Sequence, residues 1–157
     1  LKYISGEPVG SIIVKSSRLQ AINCPKRLVP SLIDEFPILF VISALTEGVS
    51  KFEDISELTT KESNRILEMK KILTQIGINC HSTKSSMSIQ GEKNIDIKNN
   101  LIIVNTKLDH RICMSSVILS LVTGIKIKVK NFETVNTSFP GFVSLIRSMG
   151  GKIEIKK

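Results

Sequence analysis

The sequence is poor in aromatic residues and in cysteine. It has no Trp, one Tyr and six Phe, which leaves little from which to build the aromatic stacking platform of a single-strand nucleic-acid binder. The three cysteines, Cys24, Cys80 and Cys113, have no paired metal-ligand spacing, and His81 has no second Cys or His nearby that would complete a site. We therefore expect reduced, structural cysteines and no nucleic-acid partner.

Long hydrophobic runs and a targeting signal are also missing. No stretch of about 18 uncharged apolar residues occurs, and no basic segment leads into an apolar one with a cleavage site. We expect a cytoplasmic protein without a membrane partner. The chain of 157 residues, 41% of them hydrophobic, is long enough to bury the core of one domain.

Acidic residues are outnumbered. Lys and Arg total 22 against 14 Asp and Glu, a formal net charge of +8. Such a balance favours anionic partners, which include phosphorylated metabolites, nucleic acids and acidic surfaces. The charge alone does not choose between them, but the shortage of aromatics favours a small phosphorylated ligand.

Predicted helices and strands recur in the same order along the chain. Apolar stretches predict helices near 31–45, 61–76, 112–122 and 139–149, each followed by glycine, and apolar residues of the second recur at spacings of three or four. Strands are predicted near 11–14, 49–53, 78–81, 86–90, 95–104, 125–129 and 153–155. Gly91 and Asn99-Asn100 are predicted turns. The string LTEGVSKFEDI corresponds to LVTGIKIKVKNF, and ILTQIGINC to IRSMGGKIEI. We therefore expect two copies of one α/β unit.

Four segments at predicted helix starts could carry chemistry: SLIDEFP at 31–37, TTKESNR at 59–65, LDHR at 108–111 and NTSFPGF at 136–142. Each also has a purely structural interpretation. The acids before Pro37 suit a helix N-terminus, Thr59 and Glu62 fit a capping box, and Asp109 and Ser138 fit simple N-caps.

Cations at these helix starts are harder to explain structurally. Lys61 and Arg65 stand four residues apart on a predicted helix, where like charges repel by about 0.2 to 0.5 kcal/mol. Both lie near the positive end of that helix, and Arg111 repeats the arrangement in the next unit. Glu62 could offset part of the cost locally. A bound anion would remove the unfavourable energy of these cations, so the pattern favours an anion site shared by two units.

The strings GEPVGSIIVKSS, LVPSLIDEFPILFVISALTEG, LTTKESNR, LDHRICMS and NTSFPGF occur in this order from about Gly6 onward. Together they resemble the C-terminal part of the 5-enolpyruvylshikimate-3-phosphate synthases, also called 3-phosphoshikimate 1-carboxyvinyltransferases. The enolpyruvyl transferases that act on UDP-N-acetylglucosamine share the fold but fit these motifs less well.

The resemblance implies an α/β (α+β) fold, the inside-out α/β barrel domain of enolpyruvyl transferases, built from βαβαββ repeats. Here the domain would be incomplete, with about two repeats and the tail of a third. We expect residues 1–20 to be the tail of a preceding repeat, 21–98 a repeat and 99–157 a second repeat.

The resemblance also implies a reaction. The family transfers the enolpyruvyl group of phosphoenolpyruvate to the 5-hydroxyl of shikimate 3-phosphate, by addition and then elimination, without a metal or organic cofactor. Asp34 matches an aspartate that hydrogen-bonds the shikimate hydroxyls and is a candidate base. Glu62 matches a candidate proton donor and acceptor at the methylene carbon.

The remaining matched residues are substrate-binding. Lys61 matches a substrate-binding lysine, and Arg65 and Arg111 match two arginines that grip phosphoenolpyruvate, whose carboxylate suits a planar guanidinium. His110 and Asp109 match a histidine and an aspartate at the edge of that site.

Two positions depart from the family pattern. Asn64 stands where many relatives have Asp, and Thr137 stands where some members carry Lys. The lysine, serine and glutamine motifs of the family's N-terminal domain have no counterpart, so we expect that missing domain as a partner and little or no catalysis by the chain alone. The alternatives are a basic binding module and an inactive remnant that retains the fold.

Overall fold

The computed structural model describes residues 2–95 and 101–155. The strands are β1 Lys2–Ile4, β2 Glu7–Val9, β3 Gly48–Glu53, β4 Asn79–Ser82, β5 Ser86–Gly91, β6 Leu101–Asn105 and β7 Lys126–Lys130. The α-helices are α1 Val29–Leu32, α2 Phe36–Ala44, α3 Arg65–Gln75, α4 His110–Thr123 and α5 Phe142–Ser148. Short 3-10 helices span Lys26–Leu28, Ser56–Thr59 and Phe132–Thr137.

The first unit forms one sheet. Strands β3, β5 and β4 pair in that order, all antiparallel. Residues 22–24 extend the sheet beyond β3 in the parallel direction, because Cys24 N–H donates to the Lys51 carbonyl at 2.9 Å and Lys51 N–H to the Ile22 carbonyl at 2.8 Å. Helices α1 and α2 connect these two parallel strands, and α3 connects β3 to β4.

The second unit repeats this order only in part. Strands β6 and β7 are parallel, with Leu101 opposite Lys126 and Asn105 opposite Lys130, and α4 connects them. The strand predicted at 153–155 is not formed. In the first unit the corresponding strand β4 pairs only with β5, and no counterpart of β5 follows within the described residues.

The strand predicted at 11–14 was also wrong. Ile12, Ile13 and Val14 are 91%, 82% and 88% exposed and belong to no strand. Apolar alternation does not hold an extended segment without a neighbour that accepts its backbone hydrogen bonds, and none is present in the described part of the chain. The predicted turn at Asn99-Asn100 and the boundary between residues 98 and 99 lie outside the described residues.

The core lies between the helices and the sheets. Helix α2 is apolar except for Ser43, and its Phe36 and Phe40 pack with Phe52 of β3 at ring-centroid distances of 5.7 and 5.1 Å. Gly91 ends β5 so close to the end of α2 that a Cβ there would clash with two carbonyl oxygens. None of the helices in residues 2–95 and 101–155 has the length and apolar character that crossing a bilayer requires.

The cysteines contribute to this packing. All three are free, Cys24 and Cys113 are buried and Cys80 is partly buried. Burial raises the pKa of the Cys80 thiol to about 11 and that of Cys113 to about 12, so both stay protonated near neutral pH. Reduced structural cysteines are what the sequence predicted.

Candidate functional site

Three helix starts lie next to one another. Residues 33–35 precede α2, residues 60–64 precede α3 and residues 106–109 precede α4. Helices α2 and α3 follow parallel neighbouring strands, and the carboxyl ends of such strands share an edge of the sheet. Helix α4 packs against both α2 and α3. Charged side chains from all three starts therefore converge.

Arg65 lies at the centre of this convergence. Its side chain is only 1% exposed. The guanidinium donates from Nε to Asp109 Oδ2 at 2.8 Å, from Nη1 to Asp34 Oδ1 at 2.9 Å and from Nη2 to Glu62 Oε2 at 2.6 Å. One arginine thus joins carboxylates from the starts of α2, α3 and α4.

Asp109 is fully buried and ionised. Its Oδ2 also accepts from the Ser63 hydroxyl at 2.9 Å, and its Oδ1 accepts from the Arg111 backbone N–H at 3.0 Å, which makes it the N-cap of α4. Burial alone would raise the pKa of this carboxyl. The hydrogen bond and charge of Arg65, together with the Ser63 and Arg111 donors, outweigh burial and hold the pKa below its usual value.

Arg111 reaches back from α4 to the start of α2. Its Nη1 donates to the Asp34 carbonyl at 2.8 Å and to Glu35 Oε1 at 2.9 Å, and its Nη2 lies 3.8 Å from Asp34 Oδ2. Partial burial would raise the pKa of the Asp34 carboxyl, but the Arg65 hydrogen bond and the charges of Arg111 and Lys61 lower it overall. Asp34 therefore stays ionised between three cations.

Lys61 joins the cluster from a loop. Its Nζ lies 2.6 Å from Glu57 Oε1 and 3.6 Å from Asp34 Oδ1. The hydrogen bond to Glu57 is the main cause that raises the pKa of Lys61. The predicted helix start at Lys61 and the predicted Thr59–Glu62 capping box were wrong, because Thr59 ends a 3-10 helix and α3 begins at Arg65.

Asn64 caps α3. Its side-chain oxygen accepts from Leu67 N–H at 3.1 Å, so the residue that departs from the family pattern fills a structural position where Asn and Asp serve equally well. We expect Asn64→Asp to leave the free energy of unfolding within about 0.5 kcal/mol, and Asn64→Ala to lower it by about 1 kcal/mol. Urea denaturation of the three proteins tests this. Equal stability of Asn64→Ala and the parent would contradict the capping role.

Three further residues that the sequence singled out make no hydrogen bond to the cluster among the described residues. His110 is the first residue of α4 and is partly buried, and no hydrogen bond joins it to the cluster among the described residues. Ser138 does not cap a helix, since α5 begins at Phe142 after Gly141. The Thr137 hydroxyl donates to the Thr134 carbonyl at 2.7 Å within its own 3-10 helix.

The sequence did not single out Ser63, Glu35 or Glu57 as members of the cluster. Ser63 is buried and binds a residue 46 positions away, and Glu35 binds one 76 positions away. Glu57 stands four residues before Lys61, a spacing that could have indicated the ion pair. The contacts of Ser63 and Glu35 depend on tertiary structure, although both residues lie inside motifs noted in the sequence.

The cluster has more carboxylates than cations. Lys61, Arg65 and Arg111 face five acidic side chains, those of Asp34, Glu35, Glu57, Glu62 and Asp109. The neighbouring cavity beside Arg111 has a volume of about 120 Å³, well below the roughly 300 to 1,000 Å³ of typical ligand pockets. To bind a polyanion, this site would therefore need additional cationic side chains and additional residues that enclose the ligand.

The lowered pKa values predict how stability depends on pH. A carboxyl whose pKa is lower in the folded chain contributes stability above its unfolded pKa, and that contribution is lost as pH falls through the folded pKa. We expect the free energy of unfolding to decrease below about pH 4. Asp109→Asn should show a smaller decrease in urea titrations at pH 7, 5, 4 and 3. Identical acid profiles of the two proteins would contradict the assignment of Asp109 as an ionised buried partner.

Comparisons with known proteins agree with these motifs. The family model "EPSP synthase (3-phosphoshikimate 1-carboxyvinyltransferase)" matches residues 2–146. A 3-phosphoshikimate 1-carboxyvinyltransferase of Zymomonas mobilis is 36% identical over 156 residues, which are 98% of this chain and 34% of the relative. That of Geotalea daltonii is 38% identical over 145 residues, which are 92% of this chain and 33% of the relative.

The fold has a matching relative as well. The solved structure of EPSP synthase from Acinetobacter baumannii superimposes with a TM-score of 0.77 at 33% identity, and covers 88% of this chain and 32% of its own. The mixed α/β architecture is thus a partial enolpyruvyl transferase fold. The chain spans about a third of the length of the curated relatives that it matches.

Proposed function

Because the chain belongs to the EPSP synthase family, we propose that it supplies part of an active site that transfers the enolpyruvyl group of phosphoenolpyruvate to the 5-hydroxyl of shikimate 3-phosphate. The observation that supports this is the convergence of Asp34, Glu62, Arg65 and Arg111 at three helix starts. We also propose that residues 1–20, 21–98 and 99–157 are the tail of one repeat and two further repeats. A cytoplasmic location stays a prediction.

Each of the four side chains has a role in this proposal. The planar guanidiniums of Arg65 and Arg111 bind the carboxylate and phosphate oxygens of phosphoenolpyruvate. Asp34 accepts the proton of the 5-hydroxyl, whose oxygen attacks the central carbon of phosphoenolpyruvate as Glu62 protonates the methylene carbon. Removal of a proton from the resulting methyl group by Glu62 then restores the double bond, and phosphate leaves.

Substrate binding must rearrange the cluster. Both arginines are engaged by the chain's own carboxylates, Arg65 by Asp34 and Glu62 and Arg111 by Glu35. Substrate oxygens would replace some of these contacts. Since acids outnumber cations in the cluster, we propose that the N-terminal domain of such enzymes provides the additional positive charge, and that this chain alone has weak activity or none.

A chimera tests the proposal. In the chimera, the segment of the Zymomonas mobilis relative that matches this chain is replaced by this chain. We expect the chimera to release phosphate from the two substrates together, and the 157-residue chain alone to release little or none. A control in which the Geotalea daltonii segment replaces the same third shows whether the Zymomonas mobilis relative tolerates exchange with another similar sequence.

The outcome that contradicts the proposal is an inactive chimera alongside an active control. If this chain then bound RNA in a salt-dependent manner without responding to shikimate 3-phosphate, the basic binding module would be favoured instead. Such a module has no use for Asp34 and Glu62, because carboxylates repel a phosphate backbone.

A further inference from the structure

We propose that Asp109 is the positioning residue for both arginines of the site: its buried carboxylate fixes the guanidinium of Arg65 and, by capping α4, fixes the point from which Arg111 extends. The inference rests on the proposed function only for the identity of the substrate. The positioning itself is carried by the contacts of a fully buried side chain.

Asp109 fixes the orientation of the Arg65 guanidinium. Asp109 accepts from Nε at 2.8 Å and, more weakly, from Nη2 at 3.4 Å, so it binds one edge of the guanidinium. A guanidinium has five N–H donors, and this arrangement leaves three for the opposite edge. Two of those three meet Asp34 and Glu62, the proposed catalytic carboxylates. Asp109 therefore sets which edge of Arg65 faces the reacting groups.

Asp109 also caps the helix that carries Arg111. Asp109 Oδ1 accepts from the backbone N–H groups of Arg111 and Ile112 at 3.0 and 3.4 Å, the pattern of a helix N-cap. Arg111 is thus the second residue of a helix whose start is fixed by the same carboxylate that holds Arg65. One side chain sets the relative position of the two guanidiniums.

The backbone before Asp109 is shaped to present this carboxylate inward. Lys107 and Leu108 both have left-handed backbone conformations, with φ of 55° and 65°, which non-glycine residues rarely adopt. The Thr134 hydroxyl donates to the Leu108 carbonyl at 2.6 Å and holds the loop in place. An unfavourable backbone conformation is maintained only where surrounding contacts stabilise it. Here it directs the chain so that the Asp109 carboxylate points into the interior.

The acceptor capacity of Asp109 is fully used. An ionised carboxylate has about four lone-pair sites, and five donors meet them: Arg65 Nε and Nη2, the Ser63 hydroxyl and the backbone N–H groups of Arg111 and Ile112. Asp109 therefore has no lone pair left to bind substrate or to accept a proton from it. Its role is to position other residues, and the buried Ser63 hydroxyl supports it from the loop before α3.

The contact can be measured in the 157-residue chain by the NMR signal of the Arg65 Nε–H group, identified by its disappearance in Arg65→Lys. We expect this proton to exchange slowly with solvent in the parent. Asp109→Ser keeps a good N-cap for α4 but cannot reach Arg65, so the slow exchange should be lost. Asn64→Ser is the matched control, since it changes a cap beside Arg65 without touching the guanidinium, and slow exchange should remain. If Asp109→Ser does not fold, Asp109→Asn, which keeps the size of the side chain, is measured instead.

The consequence for the substrate can be measured in the active chimera. We expect Asp109→Asn to lower kcat/KM for phosphoenolpyruvate on the order of 100-fold, while KM for shikimate 3-phosphate changes little. Slow Nε–H exchange that survives in Asp109→Ser, or at the rate of the parent in Asp109→Asn, would overturn the positioning of Arg65. Loss of slow exchange with unchanged kinetics would overturn its importance for substrate binding. An inactive parent chimera would count against the proposed function, and the exchange measurement would still decide whether Asp109 holds Arg65.

Discussion

Replacement of Arg65 by Met is expected to lower the free energy of unfolding by about 3 to 5 kcal/mol and to abolish turnover of the chimera. Met fills a similar volume but removes the guanidinium that joins Asp34, Glu62 and Asp109. Asp109 is fully buried, so its charge would remain in the interior without a cation. Urea denaturation of the chain and phosphate release by the chimera measure the two effects.

Two further variants isolate the cause. Arg27→Met replaces an arginine outside the cluster in an exposed 3-10 helix and should change stability by no more than about 0.5 kcal/mol. The double variant Arg65→Met with Asp109→Asn removes the unpaired charge of Asp109 and should recover part of the lost free energy of unfolding. A double-mutant cycle quantifies this recovery. An Arg65→Met protein as stable as the parent would contradict the central place of Arg65 in the cluster.

Replacement of Glu62 by Gln is expected to separate the two effects, with a large loss of turnover and a small change in stability. The Glu62 side chain is 48% exposed and its pairing with Arg65 is partly solvated, so the unfolding free energy should change by no more than about 1 kcal/mol. Gln cannot donate or accept the proton at the methylene carbon. We therefore expect kcat of the chimera to fall by roughly 10² to 10⁴-fold.

Glu53→Gln provides the matched control. Glu53 is also exposed and paired with a lysine, Lys26, at 3.2 Å, but it lies outside the cluster. We expect its kcat to equal that of the parent chimera. Equal loss of kcat in both variants, or no loss in Glu62→Gln, would contradict the role of Glu62 in the proposed proton transfers.

Local sequence patterns predicted much of the fold. The position of α4 follows from an apolar stretch that ends at Gly124, whose φ is 74°, and β3 and β5 were predicted close to where they form. The start of α3 was wrong because two capping patterns compete within seven residues. Asn64 is a stronger N-cap than Thr59, and it determines the helix start.

Strand predictions failed where a partner was needed. The segments at 11–14 and 153–155 have strand-like alternation, but a strand also requires a neighbour for its backbone N–H and C=O groups. Alternation within a segment carries no information about that neighbour. Strand β5 has two such neighbours, β3 and β4, and its prediction was confirmed.

The composition of the site was only partly predictable. Asp34, Lys61, Glu62, Arg65 and Arg111 stood out as charged residues in motifs at helix starts, and the structure brings them together. Their catalytic and binding roles are proposals. The contacts of Ser63 and Glu35 cross 46 and 76 positions of the chain. Such pairs depend on how α2, α3 and α4 pack, which a single sequence does not specify.

The most direct test of the proposed site is a crystal structure of the chimera with phosphoenolpyruvate and shikimate 3-phosphate. We expect phosphoenolpyruvate oxygens at about 2.7 to 2.9 Å from nitrogens of Arg65 and Arg111, the Glu62 carboxylate beside the methylene carbon and Asp34 beside the 5-hydroxyl. Phosphoenolpyruvate bound elsewhere, with Arg65 still on Asp34 and Arg111 still on Glu35, would contradict the proposed site.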